Sequence, residues 1–129
     1  MITAEISILY VANVTKSADF YSALLNLEPV EQSPTFALFA LKNGFKLGLW
    51  SSHTVEPGVH PAAALPQARG EIVFSVPDLA AVDALYQEWG RNPQINVIQK
   101  PVRLDFGYTF SVQDADGHRL RVCFLEDEA

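Results

Sequence analysis

The sequence predicts an α+β protein of two tandem β-α-β-β-β units that form a cup-shaped mixed sheet. The main observation is an internal repeat: segment 6–14 is similar to segment 71–79, and segment 43–49 is similar to segment 116–122. The spacing between the copies is 65 residues at the first pair and 73 at the second, so the second copy carries eight extra residues. Because a repeat defines the architecture of a chain, it outweighs single motifs.

The composition is that of one globular domain. The chain has 129 residues, of which 49% are hydrophobic and 19% charged, as in proteins that form an ordinary buried core. We therefore predict a single domain over 1–129. Its first unit covers about 4–52, a linker rich in proline and alanine covers about 53–69, and the second unit covers about 70–126.

Charge and cysteine content exclude several classes of function. The formal net charge is −6, which disfavours nucleic-acid binding, since that depends on clustered Lys and Arg. No apolar run reaches the length of a membrane span and no basic-then-apolar leader begins the chain, so we expect a cytoplasmic protein without a membrane partner. The only cysteine, Cys123, fits a reducing compartment.

The first unit opens with a strand and a helix. Residues 6–12 are apolar and predict a strand. The helix that follows is capped by Thr15 or Ser17 and ended by Pro29 and Pro34. Its apolar stripe has helical spacing and consists of Phe20, Tyr21, Leu24 and Leu25.

A hairpin completes the first unit. The apolar runs 36–41 and 45–50 are joined by Lys42-Asn43-Gly44, and Asn-Gly between two such runs is a strong hairpin signal. A further short strand is expected near Val30.

The second unit has the same order of elements. Residues 71–76 predict a strand, Asp78 caps the helix that follows, and Gly90 ends it. Its apolar stripe is Val82, Leu85, Tyr86 and Trp89.

The remaining strands of the second unit lie beyond this helix. Residues 95–99 predict a short strand and 101–105 a loop. The strands 108–112 and 119–124 then flank the turn 114–117.

The order of these motifs resembles the vicinal oxygen chelate superfamily, which includes glyoxalase I, ring-cleaving dioxygenases and bleomycin-binding proteins. The resemblance is carried by Val11-Ala12-Asn13, Ser17 and Phe20-Tyr21 in the first unit and by the run 114–120, Asp-Ala-Asp-Gly-His-Arg-Leu, in the second. It covers nearly the whole chain and implies the duplicated fold. It does not fix an activity, because one fold hosts many functions.

The resemblance also locates four positions where metal-using members hold an ion. Here they are Ile6, Gly48, Glu71 and Arg121. Only Glu71 could bind a metal, and an Arg guanidinium has no lone pair to offer. We therefore predict no metal and no cofactor. His53, His60 and His118 are alternative metal ligands that we interpret as solvated side chains.

The face that would surround the ion becomes the predicted ligand site. Strand alternation puts Trp50 beside Gly48, which leaves a gap next to the indole, and puts Cys123 beside Arg121. Arg121 either pairs with Glu71 or binds a ligand carboxylate. The predicted ligand-binding residues are Trp50, Arg121, Glu71, Tyr10, Gly48, Phe106, Tyr108 and Cys123.

Within the superfamily, the sequence is also similar to phenazine-resistance proteins, which are metal-free dimers. The resemblance is carried by Leu9–Val14, Leu49-Trp50-Ser51, Glu88-Trp89 and Phe106-Gly107. It implies a homodimeric, metal-independent protein that sequesters a planar aromatic, carboxylated small molecule such as a phenazine antibiotic and so gives resistance. The alternatives are an enzyme, either metal-dependent or using Glu71 as a general base, a bleomycin-type drug binder, and a structural or regulatory protein.

Overall fold

The computed structural model describes residues 2–58 and 70–126. The chain divides into two compact units, residues 1–65 (unit 1) and 66–129 (unit 2). The described part of each unit has one helix and one four-stranded mixed sheet, which confirms the α+β class and the β-α-β-β-β repeat. None of the helices in this part of the chain is long and apolar enough to cross a membrane. The end of the predicted linker, 59–69, lies outside the described residues, and the homodimer stays a prediction.

Unit 1 places its helix on one face of the sheet. The elements are β1 (Ile6–Val11), α1 (Val14–Leu25), β2 (Glu31–Gln32), β3 (Phe36–Ala40) and β4 (Lys46–Ser51). The strand order is β1-β4-β3-β2, with β1 parallel to β4 and the other pairs antiparallel. Helix α1 packs on β3 and β4, and Phe20, Tyr21 and Leu24 of its predicted stripe are buried. Burial of this stripe stabilises the unit through the hydrophobic effect.

The ends of α1 differ from those expected. The N-cap is Asn13, whose Oδ1 accepts a hydrogen bond from the Lys16 backbone N–H at 3.0 Å, so the predicted caps Thr15 and Ser17 are wrong. Asn caps a helix as well as Ser does, and here it follows directly on β1. The helix ends at Asn26, which adopts a left-handed conformation at φ 54°, before either proline is reached.

The predicted hairpin in unit 1 is confirmed. Phe36 pairs with Trp50 and Ala40 with Lys46, and the turn is closed by the Leu41 N–H, which donates to the Phe45 carbonyl at 2.9 Å. The extra strand expected near Val30 is β2, one residue further along.

Unit 2 repeats this arrangement. Its elements are β5 (Glu71–Ser75), α2 (Leu79–Gly90), β6 (Asn96–Leu104), β7 (Gly107–Gln113) and β8 (Arg119–Leu125), in the order β5-β8-β7-β6. Asp78 caps α2 as predicted, with Oδ1 accepting from the Ala81 N–H at 2.8 Å. Trp89 is buried, with its ring 5.5 Å from that of Phe110.

The predicted loop at 101–105 is wrong, because β6 continues to Leu104. Proline has no N–H for the strand ladder and occurs in strands mainly at edges or bulges. Strand β6 is an edge of its sheet, and its pairing with β7 shifts register between Gln99 and Val102, on either side of Pro101. The irregularity therefore accommodates the proline without ending the strand.

The strand register shows how closely the two units correspond. Ile8 pairs with Gly48 in unit 1, and Val73 pairs with Arg121 in unit 2. Residues 8 and 73 differ by 65 and residues 48 and 121 by 73, as the sequence repeat predicts. Side chains at repeat-related positions therefore hold the same places on their sheets.

Candidate functional site

The sheet face of unit 1 opposite α1 carries a row of three aromatic side chains, Tyr10, Trp50 and Phe36, which we call the aromatic face. Trp50 on β4 lies directly between Tyr10 on β1 and Phe36 on β3. Tyr10 is 45% exposed, and the other two are half-buried. The Phe36 and Trp50 rings lie 6.4 Å apart at 86°, an edge-to-face geometry that aromatic pairs favour.

Gly48 makes room for Phe36. A Cβ at position 48 would lie 3.1 Å from Cζ of Phe36 and 3.3 Å from Cγ1 of Ile8. The gap expected beside Trp50 is therefore filled by the Phe36 ring, and the prediction of an open space there is wrong. Sequence reasoning missed Phe36 as a candidate site residue.

Apolar side chains extend the aromatic face along β1. Ile6 and Ile8 point to the same side as Tyr10 and are 44% and 40% exposed. Contiguous exposed apolar surface of this kind marks a place for a ligand or a partner.

Arg121 organises a polar cluster on the corresponding face of unit 2. Its Nε donates to Glu71 Oε2 at 2.7 Å, and its Nη1 donates to Thr109 Oγ1 at 3.2 Å and to Gln99 Oε1 at 3.3 Å. The guanidinium carbon lies 5.6 Å from the centroid of the Phe106 ring, within the range of a cation–π contact. Of the two roles left open for Arg121, the structure contains the ion pair with Glu71.

Two other predicted site residues, Cys123 and Tyr108, are not accessible beside Arg121. Cys123 is on the same face but fully buried. Tyr108 is on the opposite face, because it alternates with Thr109 and its hydroxyl donates to Asp83 of α2 at 2.7 Å. That hydrogen bond raises the pKa of Tyr108. The grouping of Tyr108 with Arg121 is therefore wrong, and Tyr108 is left out of the site.

The four positions implied for a metal do not fit one. Ile6 and Gly48 have no donor atom, and the guanidinium of Arg121 is a fixed cation bound to Glu71. Divalent ions need several oxygen or nitrogen ligands with free lone pairs. One carboxylate, already paired with an arginine, does not supply them.

A second group of possible ligands lies in the turn after β7. The carboxylates of Asp114 and Asp116 and the His118 ring offer atoms within 4.8 Å of one another. Asp114 Oδ1 accepts the backbone N–H groups of Asp116 and His118, and its Oδ2 lies 2.9 Å from His118 Nδ1. These bonds build the turn, and the Asp114 contact raises the pKa of His118. Of the other histidines, His53 is exposed and His60 lies outside the described residues.

Comparison with known proteins agrees with this fold. The model of the Glyoxalase/Bleomycin resistance protein/Dioxygenase superfamily matches residues 3–122. The phenazine antibiotic resistance protein EhpR of Enterobacter agglomerans is 36% identical over 127 residues, which are 97% of this chain and 94% of that protein.

Solved structures give the same result. A protein of Agrobacterium tumefaciens, known from a solution NMR structure, is 46% identical with a TM-score of 0.84, over 98% of this chain and all of that one. A glyoxalase/bleomycin resistance protein/dioxygenase from Nocardioides, 18% identical over 100% of this chain and 87% of that one, has a TM-score of 0.83 and shows the fold alone. The duplicated units, the family model and the relatives agree, and the chain belongs to the Glyoxalase/Bleomycin resistance protein/Dioxygenase superfamily.

Proposed function

We propose that this protein is a metal-independent binding protein that sequesters a planar aromatic compound of the phenazine class and thereby gives resistance to it. The observation that carries the proposal is the aromatic row of Tyr10, Trp50 and Phe36. The similarity to EhpR, a phenazine antibiotic resistance protein, supports the same ligand class.

The aromatic face suits a flat ligand. Aromatic side chains supply large contact areas, and offset or edge-to-face ring pairs add about 0.5–1.5 kcal/mol beyond the area that they bury. The Phe36 ring stands nearly perpendicular to Trp50, so the two rings form a corner of apolar surface. Because Gly48 keeps Phe36 close to the sheet, this corner is preformed, which lowers the ordering cost of binding.

Metal independence is supported by the side chains at the four family positions, since only Glu71 carries a possible metal ligand and its carboxylate forms an ion pair with Arg121. The same ion pair argues against an enzyme that uses Glu71 as a general base. A general base must be free to take a proton from the substrate, whereas Glu71 Oε2 accepts a charge-assisted hydrogen bond from Arg121 at 2.7 Å.

Tryptophan fluorescence tests the proposed ligand class. We expect phenazine-1-carboxylate to quench the emission at micromolar concentrations, and Trp50→Ala to weaken its binding by about tenfold or more, since base-like rings stacked on aromatic side chains contribute about 1–3 kcal/mol. Trp89→Phe is the matched control, because Trp89 is buried against Phe110, and it should keep the quenching. Absence of quenching, or equal affinity in Trp50→Ala, would contradict the proposal.

Metal content tests the other half of the proposal. We expect purified protein to hold no stoichiometric divalent ion by elemental analysis, and ligand affinity to stay the same after dialysis against a chelator. A retained ion at one per chain, or binding that needs added metal, would show that other residues supply the ligands.

A further inference from the structure

Lys46 lies on the same sheet face of unit 1 as the aromatic row. Along β4 only Gly48 separates it from Trp50 on that face, because successive side chains of a strand point to opposite sides. Burial agrees with this assignment, since Leu47 and Leu49 are buried on the side of α1, whereas Lys46 is half-buried. The face that carries the aromatic row therefore also carries a positive charge.

The side chains next to Lys46 are apolar. It pairs with Ile6 on β1 and with Ala40 on β3, and neither can balance its charge. None of the ion pairs among residues 2–58 and 70–126 includes Lys46. Because opposite charges attract more strongly beside apolar groups than in bulk water, this ammonium is suited to an anionic group from a ligand.

The four strands of unit 1 place one carboxylate on this face, that of Glu31. Glu31 on β2 pairs with Leu38, which pairs with Gly48, so it lies two strands from β4 and in a different row from Lys46. Two strand spacings amount to about 10 Å, and Glu31 is exposed. Since water and salt screen exposed charges at this separation, Glu31 does not cancel the charge of Lys46.

Arg121, the cation that the sequence offered for a ligand carboxylate, is engaged within unit 2. Its Nε donates to Glu71, and its Nη1 donates to Thr109 and Gln99. A guanidinium binds a carboxylate by two parallel N–H bonds, from Nε and Nη2 or from Nη1 and Nη2, and each pair has lost one member. Lys46 is in no ion pair of the described residues and is therefore the stronger candidate.

We propose that Lys46 binds the carboxylate of the planar aromatic compound, so that unit 1 alone supplies both the ring surface and the positive charge for its ligand. This deepens the proposed function and rests on it, since the rings are those that bind the aromatic face. The ligand is accordingly an aromatic acid rather than a neutral or cationic drug. Because a lysine side chain is long and flexible, its ammonium can follow a carboxylate attached at different positions of the ring system.

Two phenazines that differ in charge provide the first test. By calorimetry at pH 7.5 in low salt, we expect the wild-type protein to bind phenazine-1-carboxylate about fivefold more tightly than phenazine-1-carboxamide, and this preference to shrink in concentrated salt, as for a partly exposed ion pair. Equal affinities in low salt, or tighter binding of the carboxamide, overturn the inference and leave the proposed function intact. Binding of neither compound overturns both.

Lys46→Met tests the residue itself. Methionine keeps a long apolar side chain but removes the charge, so the preference for the carboxylate should be lost while the affinity for the carboxamide stays the same. Lys46→Arg should retain the preference. Lys16→Met is the matched control, because Lys16 is exposed on α1, which packs on the other face of the sheet, and it should keep the wild-type ratio. A preference that survives in Lys46→Met overturns the inference.

Lys46→Glu is a second variant with a larger expected change. A negative charge at this position should repel the carboxylate, so the order of the two affinities should reverse, with the carboxamide bound about fivefold more tightly. An unchanged order in Lys46→Glu overturns the inference. This result decides the question also if the methionine variant does not fold.

Discussion

The two units have the same strand register but opposite chemistry on the face that α1 or α2 leaves uncovered. Across the first three strands of each sheet, the row Tyr10, Trp50 and Phe36 of unit 1 corresponds to Ser75, Cys123 and Thr109 of unit 2. In the next row, Gly48 corresponds to Arg121. Unit 1 thus presents ring surface, and unit 2 presents hydrogen bonds.

This difference shows that two copies of one backbone arrangement can carry different surface chemistry. Ring surface contributes affinity but tolerates many flat compounds, whereas fixed donors contribute less area and select among acceptors. Because the first three strands of each sheet correspond in register, the difference in surface chemistry lies in a few side chains. Changes at those positions, or at the glycines that shape each sheet, should therefore affect one unit and not the other.

The largest expected effect is on the stability of unit 2. Gly107 has φ 154°, and a Cβ there would lie 2.1 Å from the backbone oxygen of Phe124, so Gly107→Ala must move the β7–β8 pairing. We expect a loss of about 3 kcal/mol in the free energy of unfolding, as for other substitutions that strain the backbone. Urea denaturation measures this loss.

Gly44 of the unit 1 hairpin is the control for Gly107. It has φ 89°, but a Cβ would meet nothing within 4 Å, so Gly44→Ala carries only the conformational cost of about 1 kcal/mol. Equal losses for the two variants would show that the contact with Phe124 is unimportant.

A medium effect is expected at the aromatic face of unit 1. Gly48→Ala puts a methyl group 3.1 Å from the Phe36 ring and should cost about 1–2 kcal/mol, as overpacking usually does. In the Gly48→Ala/Phe36→Ala double variant, most of this cost should disappear, because only the 3.3 Å contact with Ile8 remains, giving a coupling of about 1 kcal/mol in a double-mutant cycle. Gly90→Ala, where nothing lies within 4 Å, should cost nothing. Additive losses would show that Gly48 and Phe36 are independent.

The smallest effect is a pH dependence confined to unit 2. The Asp114 contact raises the pKa of His118 above 6.5, so its stabilisation is complete below about pH 6.5 and is lost as the pH rises through the folded-state value. At pH 5.5 the free energy of unfolding of the wild-type protein should be higher than that of His118→Asn, by less than about 1 kcal/mol. At pH 8.5 this difference should be smaller. The equivalent position in unit 1 is Phe45, so Phe45→Leu should show no such trend. A difference that grows with pH would contradict this assignment.

Much of the fold could be predicted because its signals are local or repeated. The Asn-Gly turn, the Asp78 cap and the two helix stripes depend on neighbouring residues. The repeat predicted that the second unit has the same order of elements as the first. The continuation of β6 through Pro101 could not be predicted in this way, since the strand depends on where its partner β7 shifts register.

Candidate site residues could be predicted only where strand pairing and the alternation of side chains were considered together. Phe36 and Trp50 each lie seven residues from Asn43, so the hairpin signal already implied that they pair. Tyr108 could have been rejected similarly, because it pairs with Phe124, which alternation assigns to the helix face. The hydrogen bonds of Arg121 required the structure, since they join residues from four separate strands.

The Phe36 ring over Gly48 also bears on how this chain could change in the future. Any longer side chain at position 48 would need the space that the ring now occupies, since a Cβ alone would lie 3.1 Å from Cζ of Phe36. A substitution of Gly48 therefore meets a steric clash unless Phe36 becomes smaller at the same time. We expect positions 36 and 48 to change together rather than one at a time.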